Sequence, residues 1–346
     1  MASTPGNGAV FLYILSVNPR FSLIIEKGRM EGRTEKPVLA LGEVLVELMP
    51  ATVGQSMAQA VRFDKFAGGA PATYAAAIVR LGGRAALLTK VGTDAFSAFE
   101  LDALRAEGVG LEHVQRLPER QIGLCIHECI NGQTSLVFYR RDSAASTLAP
   151  EDIDTQVVQS AAALHVSGTS MQISPSAAAA CLRAIRLAHE AGVVVSFDPN
   201  IRNILGGEDT AKAVDEALGL ADLITPTLEE AEAITGCSDP FAAARALKER
   251  GPKLVAVTLA ERGAVLMGQE GGPVLCPGFA VNVVEPTGAG DVHAAATLVG
   301  FLQGWGAMRI GRFANAAGAH QVTAMGHLGA ALPTLVEVEA RLSRES

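Results

Sequence analysis

Toward the end of this chain, Thr287-Gly288-Ala289-Gly290-Asp291 stands directly before a long apolar run. Backbone N–H groups at the start of a helix lack intrahelical partners, and the helix dipole favours negative charge there. Glycines let a phosphate approach that backbone with no Cβ in the way. Gly288, Ala289 and Gly290 therefore read as an anion hole. A bare Gly-x-Gly serves a tight strand-to-helix turn equally well, and an acid in the first turn also simply stabilises a helix. A carboxylate held beside a bound phosphate can, however, accept the proton of an attacking hydroxyl. The combination points to phosphoryl transfer.

Other solutions for phosphate chemistry are missing. The sequence has no Gly-x4-Gly-Lys-Ser/Thr loop and no protein-kinase catalytic set. The zincin motif His-Glu-x-x-His is absent too, although His127-Glu128-Cys129 imitates its start. Cys125, His127 and Cys129 share one face of an alternating strand, but no fourth ligand is evident. Apolar packing under a lid is the expectation for them.

Composition frames the elements that must position these residues. The 346 residues are 49% hydrophobic and 18% charged, enough for a sizeable core. A net charge of −8, without basic runs, argues against a nucleic-acid surface. No stretch reaches the ~20 apolar residues of a membrane span. Five scattered cysteines suit a reducing, cytoplasmic setting. Residues 1–36 read as a loose extension: "AVFLYILSV" lacks the basic flank and cleavage site of a signal peptide, and Met30 is a second candidate start. A single domain is expected over 37–346.

From Val38 onward, strand-like and helix-like segments alternate. "GGAPATYAAAIVRLGG" is a helix with Pro71 in its first turn, "DAFSAFELDALRAEG" one capped by Asp94, and "SPSAAAACLRAIRLAHEAG" one opened by Ser174-Pro175. Between them lie "AALLTKVG", "ALHVSG", "VVVSFD", "LITP" and "KLVAVTL". This rhythm predicts an α/β fold with a mainly parallel sheet covered on both faces. Segments 43–66 and 121–140 break it with alternating patterns, and Asn131-Gly132 marks a hairpin turn. They predict a small antiparallel sheet acting as a lid.

The stretch "EPTGAGD", preceded in the chain by "FAGGAPATYAAAIVRLGGRAALLTKVGTDAF", resembles the two signatures of the ribokinase-like, or phosphofructokinase B, carbohydrate kinases. The likeness runs from about Val38 to the end. It implies a three-layer α/β/α core with a small β-sheet lid, ATP, Mg²⁺, and a sugar bound between core and lid; a monovalent cation such as K⁺ is compatible with it. It further implies that Asp291 is the catalytic base and that residues 288–291 form the anion hole. "TPTLEEAEAITG" resembles the segment that organises magnesium, with Glu230 as the acid and Thr227 in place of the usual Asn. "VTLAERGAVL" resembles the nucleotide loop, putting Thr258, Glu261 and Gly263 near ATP, together with Asn200 and Asn315. His293 replaces a usual Phe, and Glu285-Pro286 replaces Asp-Thr.

For the acceptor, "VFYRRDSAASTLAP" and "SFDPNIR" look most like 2-keto-3-deoxygluconate kinases. The implied substrate residues are Glu47, Gly68, Gly69, Thr73, Tyr139, Arg140 and Arg202. Two arginines also suit a sugar acid on physical grounds, because their planar forks match a carboxylate. Fructose or a nucleoside is the alternative acceptor, and a catalytically silent sugar or nucleotide binder is the alternative class. An exposed lid sheet is compatible with a lid-to-lid homodimer.

Overall fold

The computed structural model describes residues 36–52, 54–130, 133–201 and 207–344. The expected N-terminal extension (apart from Lys36), the Asn131-Gly132 turn and Arg202 lie outside the described residues. The strands are β1 (Val38–Leu41), β2 (Leu45–Pro50), β3 (Phe63–Gly68), β4 (Ala85–Val91), β5 (Val114–Arg116), β6 (Gly123–Ile130), β7 (Gln133–Tyr139), β8 (Ala163–Ser167), β9 (Val194–Asp198), β10 (Leu223–Ile224), β11 (Leu254–Thr258), β12 (Gly263–Met267) and β13 (Val274–Pro277). The helices are α1 (Ala70–Arg80), α2 (Ala95–Ala106), α3 (Thr155–Ser160), α4 (Gly168–Met171), α5 (Pro175–Glu190), α6 (Gly207–Leu220), α7 (Leu228–Thr235), α8 (Pro240–Lys248), α9 (Ala289–Leu302), α10 (Ala307–Gln321) and α11 (Leu335–Arg344).

Nine strands make the main sheet, in the order β13-β12-β11-β10-β9-β8-β1-β4-β5. Neighbours from β11 to β5 run parallel, and β12 and β13 extend one edge antiparallel. Successive strand residues point to opposite faces, so a sheet covered on both sides needs continuous apolar strands. β1 shows the sorting. Val38 and Ala40 pack with Tyr74 and Ile78 of α1, Val292 of α9 and Phe313 of α10. Leu39 and Leu41 pack with Ile185 of α5, Ala217 of α6 and Leu247 of α8. The two apolar clusters are the two interfaces of an α/β/α sandwich. The expected caps form: Asp94 Oδ1 accepts from the backbone N–H of Phe96 and Ser97 at 2.9 and 3.1 Å, and Ser174 Oγ accepts from Ala177 at 3.1 Å.

The lid is a second sheet, ordered β3-β2-β6-β7. It corrects the all-antiparallel expectation, because β2 and β6 pair parallel while β2–β3 and β6–β7 pair antiparallel. The reason is topological. β3, α1, β4, α2 and β5 intervene between β2 and β6, a crossover long enough for a parallel pair, which no hairpin turn provides.

Beneath the sheet, Tyr74 stacks on His165 with ring centroids 3.5 Å apart, and His165 Nδ1 lies 3.0 Å from Ser196 Oγ. Burial pushes His165 down to about 3 despite the Ser196 contact. A histidine held neutral contributes stability above its unfolded value of about 6.5, and loses it as pH falls below that toward 3. At pH 5 the loss at this one site is about 2 kcal/mol. His165→Phe keeps the stack and removes the titration. Denaturant unfolding at pH 7 and pH 5 should show the variant losing less stability than wild type by roughly that amount, and equal losses would reject the assignment.

Candidate active site

The mouth of α9 opens into a cleft of about 600 Å³ at the junction of core and lid. Gly288 precedes the helix at φ 84°, a left-handed conformation that disfavours any side chain. A Cβ there would also stand 2.9 Å from His327 Nδ1. Gly290, by contrast, is exposed in the first turn, and a Cβ on it would meet nothing within 4 Å. The Thr287 N–H is already used, since both Glu285 carboxylate oxygens accept from it at 3.1 Å. The Ala289 N–H also has a backbone partner, Pro286 O at 3.4 Å. Asp291, in the first turn of α9, lines the same cleft.

Opposite the helix mouth stands Glu47 of β2, buried with its side chain 9% exposed. Room for it comes from two glycines that end β3 and open α1. A Cβ on Gly68 would lie 2.5 Å from Glu47 Oε1, and Gly69, at φ 95°, donates its N–H to that oxygen at 3.3 Å. Gly68 itself donates to the buried Glu100 at 3.2 Å, away from the cleft. On its other oxygen Glu47 meets His327 Nε2 at 2.8 Å and His127 Nδ1 at 3.3 Å. Burial alone would raise the Glu47 carboxyl, but these imidazoles hold it below the usual range. Burial likewise opposes charge on His327, yet Glu47, Glu285 and Asp291 carry it up to about 9.

The lid supplies the remaining wall. Leu136, Phe138 and Arg140 of the β7 segment face the cleft, and the Arg140 guanidinium lies 4.3 Å from the centre of the Phe138 ring. Arg140 Nη1 is 3.1 Å from Glu43 Oε2, while Ser143 Oγ donates to Glu43 Oε1 at 3.0 Å. Burial pushes the Glu43 carboxyl up, and Arg140 and Ser143 only partly offset this.

A model of the pfkB family carbohydrate kinases matches residues 35–335. The chain belongs to that family. Probable fructokinase-4 of Arabidopsis thaliana is 33% identical over 317 residues, covering 88% of this chain and 96% of that protein. The 2-dehydro-3-deoxygluconokinase of Thermoproteus tenax is 31% identical over 322 residues, covering 91% and 97%. A putative Ribokinase II from E. coli, solved with ATP and Mg²⁺, superposes with a TM-score of 0.82 at 29% identity, over 89% of this chain and 99% of that one. The protein is thus a carbohydrate kinase, a phosphotransferase acting on a sugar hydroxyl. No helix among the described residues is long and apolar enough to cross a membrane.

Of the residues expected at the kinase site, Glu47, Gly69, Thr73, Arg140, Asn200, Gly288 and Asp291 line one cleft. Tyr139 does not. It is 62% exposed on the outer face of the lid, because adjacent strand residues cannot both face the sugar side. Phe138 and Arg140 take that side. Gly68 supports Glu47 from behind and does not line the cleft. Of the residues expected near the nucleotide, Thr258 ends β11 beside Thr227, and Glu261 is exposed on the turn that follows. Gly263, at φ 97°, packs so close to β13 that a Cβ would sit 2.1 Å from Cys276 O. Asn315 is turned inward: its amide donates to Cys276 O and Pro277 O at 2.8 and 3.0 Å, and its Oδ1 meets His293 Nε2 at 3.2 Å. It pins α10 to β13 and does not reach the cleft. Glu230 forms a capping box on α7, accepting from Thr227 N at 2.8 Å and from Ile201 N at 2.7 Å.

Several cleft residues escaped sequence reasoning. His127 was expected in apolar packing, and the structure places it in a polar cluster against Glu47. Its alternation on β6 with Gly123 and Cys125 marked the inward face but not what lay opposite. His327 comes from the α10–α11 connection with no local pattern to announce it.

The two glycines separate conformation from space. Gly288→Ala should destabilise the kinase by about 1–3 kcal/mol, since both φ and the His327 contact oppose it. Gly290→Ala should be neutral or stabilising by up to about 1 kcal/mol, as Ala is the better helix former. Denaturant unfolding of both variants checks this, and an equal loss in the two would refute the geometric distinction.

Proposed function

We propose that the kinase transfers the terminal phosphoryl group of ATP to the 6-hydroxyl of 2-keto-3-deoxygluconate, with Asp291 as general base. The observation that carries the acceptor is Arg140. It shares the cleft with Asp291, and its present partner, Glu43, is a carboxylate that burial pushes toward protonation. A substrate carboxylate offers Arg140 a better-solvated exchange partner. Arg202 of "SFDPNIR" remains a second candidate contact on sequence grounds.

Asp291 takes the acceptor hydroxyl proton onto a carboxylate oxygen. Because that proton moves late in a loose transition state, a weak base is sufficient. The N–H groups of the turn from Gly288 to Asp291 are assigned to the developing negative charge, that of Ala289 by giving up its 3.4 Å contact with Pro286 O, and the open space at Gly290 suits an approaching phosphate. Glu47, kept ionised, accepts hydroxyl hydrogens from the sugar and fixes its orientation. Bound Mg²⁺ would supply charge neutralisation on the ATP phosphates. Glu230 has both oxygens engaged by backbone N–H, so it suits an ion held through water rather than by direct ligation. Thr258, Glu261 and Gly263 are assigned to the nucleotide loop. A cytoplasmic location, a monovalent cation such as K⁺ and a homodimer through the exposed lid are compatible with the same reading.

A neutral ketohexose such as fructose is the second reading, favoured by the fact that Glu43 already neutralises Arg140. The two separate on kcat/KM. If the keto acid is the acceptor, Arg140→Ala removes a charge-assisted contact of ~1.5–3 kcal/mol, and its kcat/KM falls about 10–150-fold. Fructose should lose much less. Equal losses would mean that Arg140 only holds the lid, and a wild-type preference for fructose would sink the sugar-acid reading.

Asp291→Asn should lower kcat by roughly 10²–10⁴-fold with little change in ATP affinity. Steady-state kinetics with nucleotide-binding calorimetry checks both halves, and near-normal turnover would reject Asp291 as the base. Gly290→Ala, despite its intact stability, should lose activity, because its methyl group occupies the phosphate approach; unchanged turnover would move the anion hole elsewhere.

A further inference from the structure

We propose that Glu47, His127 and His327 form a transition-metal site at the floor of the sugar pocket, suited to one Zn²⁺ ion. The three donors come from separate elements, namely β2, β6 and the α10–α11 connection, yet their ligand atoms all lie within 4.8 Å of one another. Two imidazole nitrogens aim at one carboxylate oxygen, at 2.8 and 3.3 Å. Ligand atoms around a tetrahedral zinc, with bonds of about 2.0–2.1 Å, stand roughly 3.3 Å apart. The His127–Glu47 separation already matches that spacing, and the His327–Glu47 pair needs to open by about 0.5 Å to admit an ion.

Donor chemistry and surroundings agree. Two imidazoles with one carboxylate suit zinc and similar ions, whereas magnesium demands oxygen ligands and keeps its water. The side chains are nearly sealed from solvent, at 9%, 3% and 1% exposure for Glu47, His127 and His327. A metal ligand must be a neutral imidazole, so an ion bound here would replace the proton between His327 and Glu47. Glu47 and His327 border the cleft, which leaves one coordination position open toward it. Three protein ligands and one open position are the pattern of an accessible zinc centre, not of a closed structural one.

Such an ion would hold the carboxylate assigned to the acceptor's hydroxyls. Metal and acceptor should therefore exclude each other while ATP binding is spared, a consequence that rests on the acceptor reading of this pocket.

The test uses the full chain, free of nucleotide and magnesium, titrated with Zn²⁺ alone by calorimetry and with Co²⁺ alone by visible absorption. The expected result is one ion per chain and an intense four-coordinate Co²⁺ spectrum. His127→Gln and His327→Gln should each weaken Zn²⁺ binding by at least about tenfold, the lower end of what even a supporting partner of a metal ligand contributes. Absence of stoichiometric binding, a weak six-coordinate spectrum, or affinity unchanged in both variants would overturn the proposal. The wild-type spectrum decides alone should a variant fail to fold. Saturating acceptor should then displace the ion. Metal binding that the variants abolish but the acceptor leaves untouched would uphold the metal site and count against the acceptor reading instead.

Discussion

Burying Glu47 is the constraint around which the cleft is built. A carboxylate removed from water at the junction of two sheets is costly unless it is hydrogen-bonded and matched by opposite charge. Here each compensation comes from a different part of the chain. Gly69 supplies an N–H from the entry to α1, Gly68 supplies space, His127 arrives on β6 and His327 from beyond α10. The same contacts put His327 Nδ1 against Gly288, so the buried acid and the mouth of α9 are linked through one imidazole.

The main sheet explains why those parts can meet. In an open parallel α/β sheet, ligands gather at the carboxyl ends of the strands, where loops and helix N-termini converge. The α9 helix is apolar on nearly all sides and is wedged between α1, α10 and the sheet, which fixes its first turn. The donors at its mouth are thus rigid, whereas the acceptor contacts of β2, β6 and β7 stand on a separate small sheet. Fixed amides opposite a separate lid sheet suit a reaction in which alignment and charge stabilisation supply most of the catalysis.

Much of this was legible in the sequence because it depends on local rules. Strand and helix alternation follows from apolar period, Asp94 and Ser174 declare their helices, and the glycines before Asp291 mark the start of α9. What was not legible depends on pairing across distance. Nothing near Tyr139 states which face of β7 turns inward, and register with β6 sends Phe138 and Arg140 there instead. The parallel β2–β6 pair is invisible to a hairpin signal. Asn315 reads like a binding amide until β13 is seen to accept both its hydrogens. His327 has no motif because its partner lies 280 positions away in the chain, at Glu47.

Two carboxylates in one cleft are driven in opposite directions, and that difference assigns them different work. Burial dominates at Glu43, where among the described residues Arg140 is the cation that offsets it, so its charged form is reluctant. At Glu47 two imidazoles and a backbone N–H overcome the same burial, so its charged form is secure. A pair of like groups separated in this way can act independently, one yielding its arginine when a better anion arrives while the other continues to accept hydroxyl hydrogens. Were both held equally ionised beside Asp291, the cleft would repel any anionic acceptor. On the acceptor reading proposed above, a Glu43 whose charged form burial disfavours lessens the repulsion that a sugar acid would meet beside Asp291.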